Sequence, residues 1–258
     1  METDQDFFDE INANPDDMSV RMVYADWLEE RGDPRAEFIE VQCALADMDR
    51  SHPERAPMEQ IEWHLRKRHE REWFGPLCGP EIEFTVAGGF VDTLRIDVAE
   101  FAKVSSRLDA CAVGMRNLRL TAKRQGTATQ GVVELARSQA ARSLRKLDLS
   151  YCWLTNRDVK HLASSPHLSG LKSLNLSWND WIGDAGVEWL SDGEGLPALA
   201  ELDLRFVGFG KAGMRILAES SKLKSLGLLA INPQLRRKGY QYSIRHLQDV
   251  YGDRLVVY

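Results

Sequence analysis

Four segments of the chain share one spacing of leucines, with apolar residues at the first, fourth and sixth positions. The segments occupy positions 144–149, 171–176, 199–204 and 223–228. A repeat of about 20–29 residues is typical of a solenoid, in which each unit buries its apolar edge only by stacking on its neighbours. The spacing therefore restricts this part of the chain to a stacked architecture with a continuous core.

A second apolar pattern keeps the same period between these segments. Pairs of apolar residues three positions apart, as one face of a helix requires, recur every 27 or 28 residues, at Val132/Leu135, Val159/Leu162, Val187/Leu190 and Met214/Leu217. Strands and helices therefore alternate. The predicted third apolar position of each strand falls at Ile96, Leu120, Leu149, Leu176, Leu204 and Leu228.

The strand-and-turn segments resemble leucine-rich repeats of the ribonuclease-inhibitor-like type. The repeat form L-x-x-L-x-L-x-x-(N/C)-x-L is met by Leu144, Leu147, Leu149, Cys152 and Leu154. The next unit nearly meets the form with Leu171, Leu174, Leu176 and Asn179, and Trp181 or Ile182 closes it after one extra residue. The third unit has Val207 at the Asn/Cys position, which departs from the pattern. The resemblance implies an α/β solenoid with parallel strands on its concave face and helices on its convex face.

Residues 1–80 form a separate unit in the predicted organisation. Their apolar spacing and their proline and glycine boundaries predict four helices around one small core. Positions 23–39, together with Gln42, resemble the repeat-companion domain of bacterial proteins, which precedes leucine-rich or other repeats and implies no particular biochemistry. Residues 81–258 are then the leucine-rich-repeat domain, and a helix at 244–251 and a strand at 255–258 cap its end.

Charge and composition limit the classes of partner. Residues 1–80 carry 20 acidic and 9 basic side chains, a net charge of −11. Residues 81–258 carry a net charge of about +5, which gives −6 for the whole chain. The acidic half disfavours nucleic acid, because phosphate contacts need Lys or Arg. No apolar run approaches the ~18–20 residues that span a bilayer, and the acidic start is unlike a signal peptide. We interpret the protein as cytoplasmic, with no membrane or nucleic-acid partner.

The cysteines carry little functional signal. The four cysteines are scattered and form no C-x-x-C pair, so the sequence suggests neither a metal site nor a disulfide framework. We expect reduced, mostly buried thiols. The sequence predicts no metal and no cofactor.

The predicted functional surface follows from the alternation of side chains along each strand. Residues between the core leucines point away from the core, which places Arg95, Arg119, Asp148, Asn175 and Asp203 in one row. The residues flanking this row are Lys146, Ser173 and Glu201 on one side and Ser150, Ser177 and Arg205 on the other. Tyr151, Trp178 and Phe206 occupy one position of three successive repeats, just beyond the row. An aromatic column beside mixed charge is typical of a protein-binding interface.

Two other motifs have plainer explanations. The segment 208–213 matches the dinucleotide fingerprint G-x-G-x-x-G, but Gly183 and Gly186 occupy the corresponding place one repeat earlier, so the glycines belong to the repeat's turn. Carboxylates near a helix end, at Asp26, Glu29, Glu30, Asp33 and Glu37, could support acid–base chemistry. Helix capping and ion pairs to Arg21, Arg31 and Arg35 are the simpler interpretation.

These observations predict a non-catalytic scaffold or adaptor that binds a protein partner of unknown identity. Two alternatives remain open at this stage. One is an enzyme with a carboxylate site in the helical unit, and the other is a stoichiometric inhibitor of another protein. The sequence leaves the oligomeric state undetermined.

Overall fold

Four helices form the first part of the protein. The computed structural model describes residues 3–232 and 240–257. The helices are α1 (Asp4–Ala13), α2 (Met18–Glu29), α3 (Arg35–Asp47) and α4 (Arg55–Phe74). Side-chain caps define the first two starts: Thr3 and Asp6 form a capping box on α1, and Asp17 accepts the backbone N–H of Ser19 on α2. Such caps satisfy backbone donors that a helix leaves unpaired.

An eight-stranded sheet runs through the rest of the described chain, with its strands in chain order. The strands are β1 (Glu83–Ala87), β2 (Phe90–Asp97), β3 (Asn117–Thr121), β4 (Lys146–Asp148), β5 (Ser173–Asn175), β6 (Glu201–Leu204), β7 (Leu228–Ile231) and β8 (Leu255–Val257). β1 and β2 form an antiparallel hairpin, and the other neighbours are parallel. The helices of this part are α5 (Val98–Cys111), α6 (Ala128–Arg137), α7 (Asn156–Ala163), α8 (Asp184–Asp192), α9 (Lys211–Glu219) and α10 (Gln241–Tyr251).

Leucines hold this arrangement in register. One row of directly paired, buried residues crosses six strands: Leu94, Leu118, Leu147, Leu174, Leu202 and Leu229. They belong to one core cluster that extends to Tyr251 in α10. Each helix from α5 to α10 packs on the next. The α/β class is therefore confirmed, and the sheet order is compatible with a leucine-rich-repeat fold.

The last predicted repeat is displaced by three residues. Leu228, predicted as its third core position, pairs instead with Glu201 and is 37 % exposed. Ile231 pairs with Leu204 and is fully buried. The segment 223–231 fits the leucine spacing in two overlapping ways, as Leu223/Leu226/Leu228 and as Leu226/Leu229/Ile231. The structure has the second, in which Ile231 follows Leu204 by 27 residues. Leu223 begins a short 3-10 turn before the strand.

The predicted single core for the four N-terminal helices is wrong. Phe7, Ile11 and Tyr24 pack in a cluster that also contains Phe90 of β2 and Val113 of the loop after α5. Phe38, Trp73 and Phe74 belong instead to the large core of the sheet. The two clusters meet at α3, because Phe38 packs in the core of the sheet and Ile39 packs in the N-terminal cluster. The helices therefore cover the first edge of the repeat core.

Polar side chains from the helices hold the β1–β2 hairpin. Arg21 donates to the carbonyl of Ala87, and Arg35 donates to the carbonyl of Gly89 at 3.2 Å. The amide of Gln42 completes the contact by accepting the Gly89 N–H at 2.8 Å. Burial lowers the pKa of Arg21 to about 10, so its guanidinium stays charged at neutral pH. These bonds fix the turn against the helices.

The closeness of this contact predicts a large effect of adding one methyl group at the turn. A Cβ on Gly89 would lie 2.2 Å from Ile39 Cγ1, whereas a Cβ on Gly126 would meet nothing within 4 Å, and both glycines have φ near +80°. Gly126→Ala should therefore cost about 1–2 kcal/mol for the left-handed backbone alone. Gly89→Ala should cost about 2 kcal/mol more, because Ile39 is fully buried and the site becomes overpacked. Urea unfolding followed by circular dichroism measures both losses, and equal losses would contradict this view of the turn.

Candidate functional site

Three aromatic rings stack in line beyond the ends of three neighbouring strands. The ring centroids of Tyr151 and Trp178 are 4.9 Å apart with an interplanar angle of 13°. Those of Trp178 and Phe206 are 3.8 Å apart at 18°. Tyr151 and Trp178 are 56 % and 43 % exposed, and Phe206 is half-buried. We call these three residues the aromatic stack; the predicted column is thus one continuous surface feature.

A repeated turn positions each ring of the aromatic stack. At the end of each strand, a side-chain oxygen accepts the backbone N–H two residues later, at 2.9–3.0 Å. The pairs are Asp148 with Ser150, Asn175 with Ser177, and Asp203 with Arg205. Neighbouring turns are then joined by the backbone, since Tyr151 N donates to Ser177 O and Trp178 N donates to Arg205 O. Equivalent turns at equal spacing place the three rings face to face.

The backbone of these aromatic residues is in the left-handed region. Tyr151, Trp153, Trp178 and Phe206 have φ values of 58°, 51°, 60° and 56°. This region favours glycine, asparagine and aspartate, and bulky residues there are strained. Strain of this kind persists where surrounding structure fixes it, and it concentrates at binding sites and clamps.

A groove lies beside the stack and includes two tryptophans that the sequence analysis missed. It has a volume of about 410 Å³, and we call it the aromatic groove. Its lining residues are Ala122, Gln125, Tyr151, Trp153, Trp178, Asp180 and Trp181. Trp153 is 41 % exposed and Trp181 is 52 % exposed. The sequence does contain a signal for them, since four aromatic residues occur within positions 151–181. Neither Trp153 nor Trp181, however, occupies the repeat position that Tyr151, Trp178 and Phe206 share.

The structure brings the predicted row together across the sheet. The paired register runs through Arg95, Arg119, Asp148, Asn175 and Asp203. In the next strand the row reaches Ala230, which is buried, so the polar face ends there. Lys146 is exposed and pairs in register with Asn117 and Ser173.

Ion pairs within the chain engage most of the charges on this row. The Nε atom of Arg119 lies 3.5 Å from an Asp148 oxygen. At the first edge, Arg95 pairs with Glu83 of the hairpin at 3.1 Å. At the other side, the guanidinium of Arg205 approaches Asp203 to 2.6 Å. A partner would have to displace these contacts to use the charges, which makes the aromatic residues the better anchors.

Asn179 supports the turn beneath the stack. Its Oδ1 atom accepts the backbone N–H groups of Cys152 and Leu154, and its Nδ2 atom donates to Leu149 O and to carbonyls of its own turn. Asn179 is fully buried. Its bonds therefore pair backbone groups that would destabilise the folded protein if they were buried without a partner. Val207, at the corresponding place one repeat later, is buried as an apolar residue.

The cysteines are less uniformly buried than predicted. Cys111 and Cys152 are buried, Cys43 is half-buried and Cys78 is exposed, and all four are free thiols. Burial raises the pKa of Cys152 to about 12. This thiol therefore stays protonated near neutral pH and acts as a core residue of the turn.

The glycine fingerprint at 208–213 already holds an anionic group from the chain itself. The backbone N–H groups of Gly210 and Gly213 both donate to Asp184 Oδ1, at 2.6 Å and 2.7 Å. One repeat earlier, Gly183 N donates to Asn156 Oδ1 in the same way. The donors that a dinucleotide phosphate would need are thus used to join successive helix starts.

The N-terminal carboxylates lie along the surface of two helices. Asp26, Glu29, Glu30 and Glu37 are exposed, and Asp33 caps α3 by accepting Arg35 N. Burial, then the neighbouring carboxylates of Glu29, Asp26 and Glu37, raise the pKa of Glu40, which the sequence analysis did not include.

The predicted arginine pairing of this surface holds at one position only. Arg31 lies 3.7 Å from Glu30 and stacks over Trp27. Arg21 and Arg35 instead bind backbone carbonyls of the hairpin, as described above. Each of these two guanidinium groups donates from a terminal nitrogen to a hairpin carbonyl, but its Nε atom is buried without a hydrogen-bond partner among the described residues. Four of the five surface carboxylates, by contrast, are exposed.

The described residues contain no group of three or more His, Cys, Asp or Glu side chains placed to hold a metal ion. Among the helices within 3–232 and 240–257, none combines the length and apolar character that a bilayer crossing requires.

Comparison with known families agrees with the repeat architecture. Residues 140–163 and 167–191 match the family model described as Leucine Rich repeat. The first matched segment contains β4 and α7, and the second contains β5 and all of α8 except Asp192. Together they include Tyr151, Trp178 and Asn179. They support a leucine-rich-repeat protein, a class whose repeats generally mediate protein–protein interaction and are typically non-catalytic. A search of curated proteins finds no match to the chain.

The left-handed backbone at Trp153 predicts that this residue lowers stability. Trp153→Asn replaces a bulky side chain at φ 51° by one that tolerates this region. Trp181→Asn removes a similarly exposed indole from a residue without positive φ. The first variant should therefore be more stable than the second by about 1 kcal/mol. Thermal and urea unfolding provide the comparison; a Trp153→Asn protein no more stable than Trp181→Asn would show that strain is absent.

Proposed function

We propose that this protein is a non-catalytic scaffold that binds another protein through the aromatic stack and the adjoining polar row. The observation that carries the proposal is that Tyr151 and Trp178 are both exposed and held in place by ring stacking. Exposed, preorganised aromatic side chains are the commonest anchors of protein interfaces. Because stacking fixes their rings, little side-chain entropy remains to be lost on binding.

The same proposal includes the finer features that the sequence suggests. The repeats are of the ribonuclease-inhibitor-like type, with the polar row on a concave face. The N-terminal helices are a bacterial repeat-companion domain that covers the first repeat, and the protein acts in the cytoplasm. The resemblance of residues 23–39 and the contacts of the helices with the β1–β2 hairpin support this assignment.

The two alternatives differ in how well the structure supports them. Stoichiometric inhibition would use the same surface, with an enzyme as the bound partner. Catalysis in the helical unit gains no support, because its carboxylates lie on exposed helix surface and Asp33 is engaged in capping. Binding is therefore the function that the geometry favours.

The first experiment identifies what touches the stack. A photoreactive phenylalanine analogue placed at Trp178 should cross-link a partner in a native extract. The same analogue at Trp63, an exposed tryptophan on α4 (56 %), serves as the matched control. A protein captured from position 178 and not from 63 is then purified for direct measurement.

Affinity measurements decide the proposal. Trp178→Asn should weaken binding at least tenfold in isothermal titration, since hot-spot tryptophans contribute about 2 kcal/mol or more. Trp63→Asn should leave the affinity within about twofold, as a residue outside the interface. The unfolding midpoint of each variant confirms folding. Equal affinities for the wild type and the folded Trp178→Asn protein would refute binding at the stack.

A further inference from the structure

We infer that the aromatic groove binds the guanidinium group of an arginine side chain carried by the partner. The inference rests on the proposed function and specifies the chemistry of what enters the site. It concerns the groove lined by Tyr151, Trp153, Trp178 and Trp181 together with Asp180.

The aromatic content of the groove favours a cation. Four of its seven lining residues are aromatic. Trp178 is stacked between Tyr151 and Phe206, so Trp153 and Trp181 supply the indole faces, and indole is the ring with the strongest cation–π attraction. A cation within about 6 Å of the centre of such a ring face is attracted to it, and more strongly where water is displaced. A groove with several rings can present more than one of them to the same group.

The charge of the groove points the same way. Among the described residues that line the groove, Asp180 is the single carboxylate, and none is Lys, Arg or His. Asp180 is exposed. Two cations of the chain segment that supplies Ala122 and Gln125 pair with carboxylates outside the groove lining: Arg119 pairs with Asp148, and Lys123 pairs with Glu81. An anionic ligand would therefore meet a carboxylate with no compensating charge in the lining.

Arginine fits this combination better than lysine does. A guanidinium group is planar, stacks on aromatic faces, and can donate two parallel hydrogen bonds to one carboxylate. Its weak hydration lowers the cost of entering a groove walled by indoles. Lysine offers a compact, strongly hydrated charge that uses the flat rings less well.

Arg124 allows the electrostatic attraction between the groove and a cation to be measured by a substitution outside the groove. Arg124 is exposed on the loop that supplies Ala122 and Gln125, but it does not line the groove. Its charge should oppose the entry of a cation. Arg124→Ala should therefore increase the affinity for a cationic ligand by about two- to threefold at low salt, and the gain should fall as salt is added.

The experiment is a titration of the full chain with short peptides, followed by the ¹⁵N–¹H resonances of the tryptophan indoles. The peptides are Gly-Gly-Arg-Gly-Gly and its lysine and citrulline counterparts, citrulline being the neutral isostere of arginine. The arginine peptide should shift the indole signals of Trp153, Trp178 and Trp181 and leave that of Trp63 unchanged. Its affinity should exceed that of the citrulline peptide at least tenfold.

A matched pair of variants isolates the carboxylate. Asp180→Asn should weaken the arginine peptide about fivefold or more and leave the citrulline peptide unaffected. Glu188→Gln, which removes the same charge from the exposed surface of α8, should change neither affinity. Unshifted indole signals throughout the arginine titration, or equal binding of arginine and citrulline, would overturn the inference. Such a result leaves the proposed function to its own test, because the cross-linked partner could still lose affinity with Trp178→Asn.

Discussion

The stacking of buried leucines from one repeat to the next determines where every other functional feature lies. Leu147, Leu174 and Leu202 pair directly across the sheet, and each occupies the same place in its repeat. Once these residues are in register, the side chains between them must form a row on the opposite face, because strand residues alternate. The turns that follow the strands then lie at equal intervals along the sheet, so the side chains on them repeat at the same spacing as the core leucines.

The turns convert this regularity into an exposed aromatic surface. Asn179 satisfies buried backbone groups of two successive turns, and this allows the chain to leave the sheet in the left-handed conformation at Tyr151 and Trp178. The rings therefore project from fixed backbone positions and stack on one another. At the first edge of the sheet, Arg35 and Gln42 hold the β1–β2 hairpin against the N-terminal helices.

Much of this arrangement could be predicted from the sequence, because it depends on a period. The alternation of strands and helices, the row through Asp148 and Asn175, and the aligned aromatic column all follow from a spacing of 27 or 28 residues. The frame of the last repeat was missed since residues 223–231 fit the leucine spacing in two ways. The sequence analysis did not predict that α3 contributes to two hydrophobic clusters. Phe38 and Ile39 are adjacent, and periodicity alone does not tell that Phe38 packs in the core of the sheet and Ile39 in the N-terminal cluster. The groove involves Trp153 and Trp181, which have no counterpart at a fixed repeat position.

The choice of residue at the strained turns is the strongest physical argument for function. At a φ near +60°, asparagine or glycine would relieve strain of about 1–2 kcal/mol at each position. Ring stacking recovers about 0.5–1.5 kcal/mol for each aromatic pair, which offsets the strain at Trp178, with two stacked neighbours. Trp153 is in the same backbone region, yet none of its described contacts is a ring stack. Stability alone would therefore favour a smaller residue at position 153, and this supports the proposal that the exposed indole of Trp153 contacts a partner.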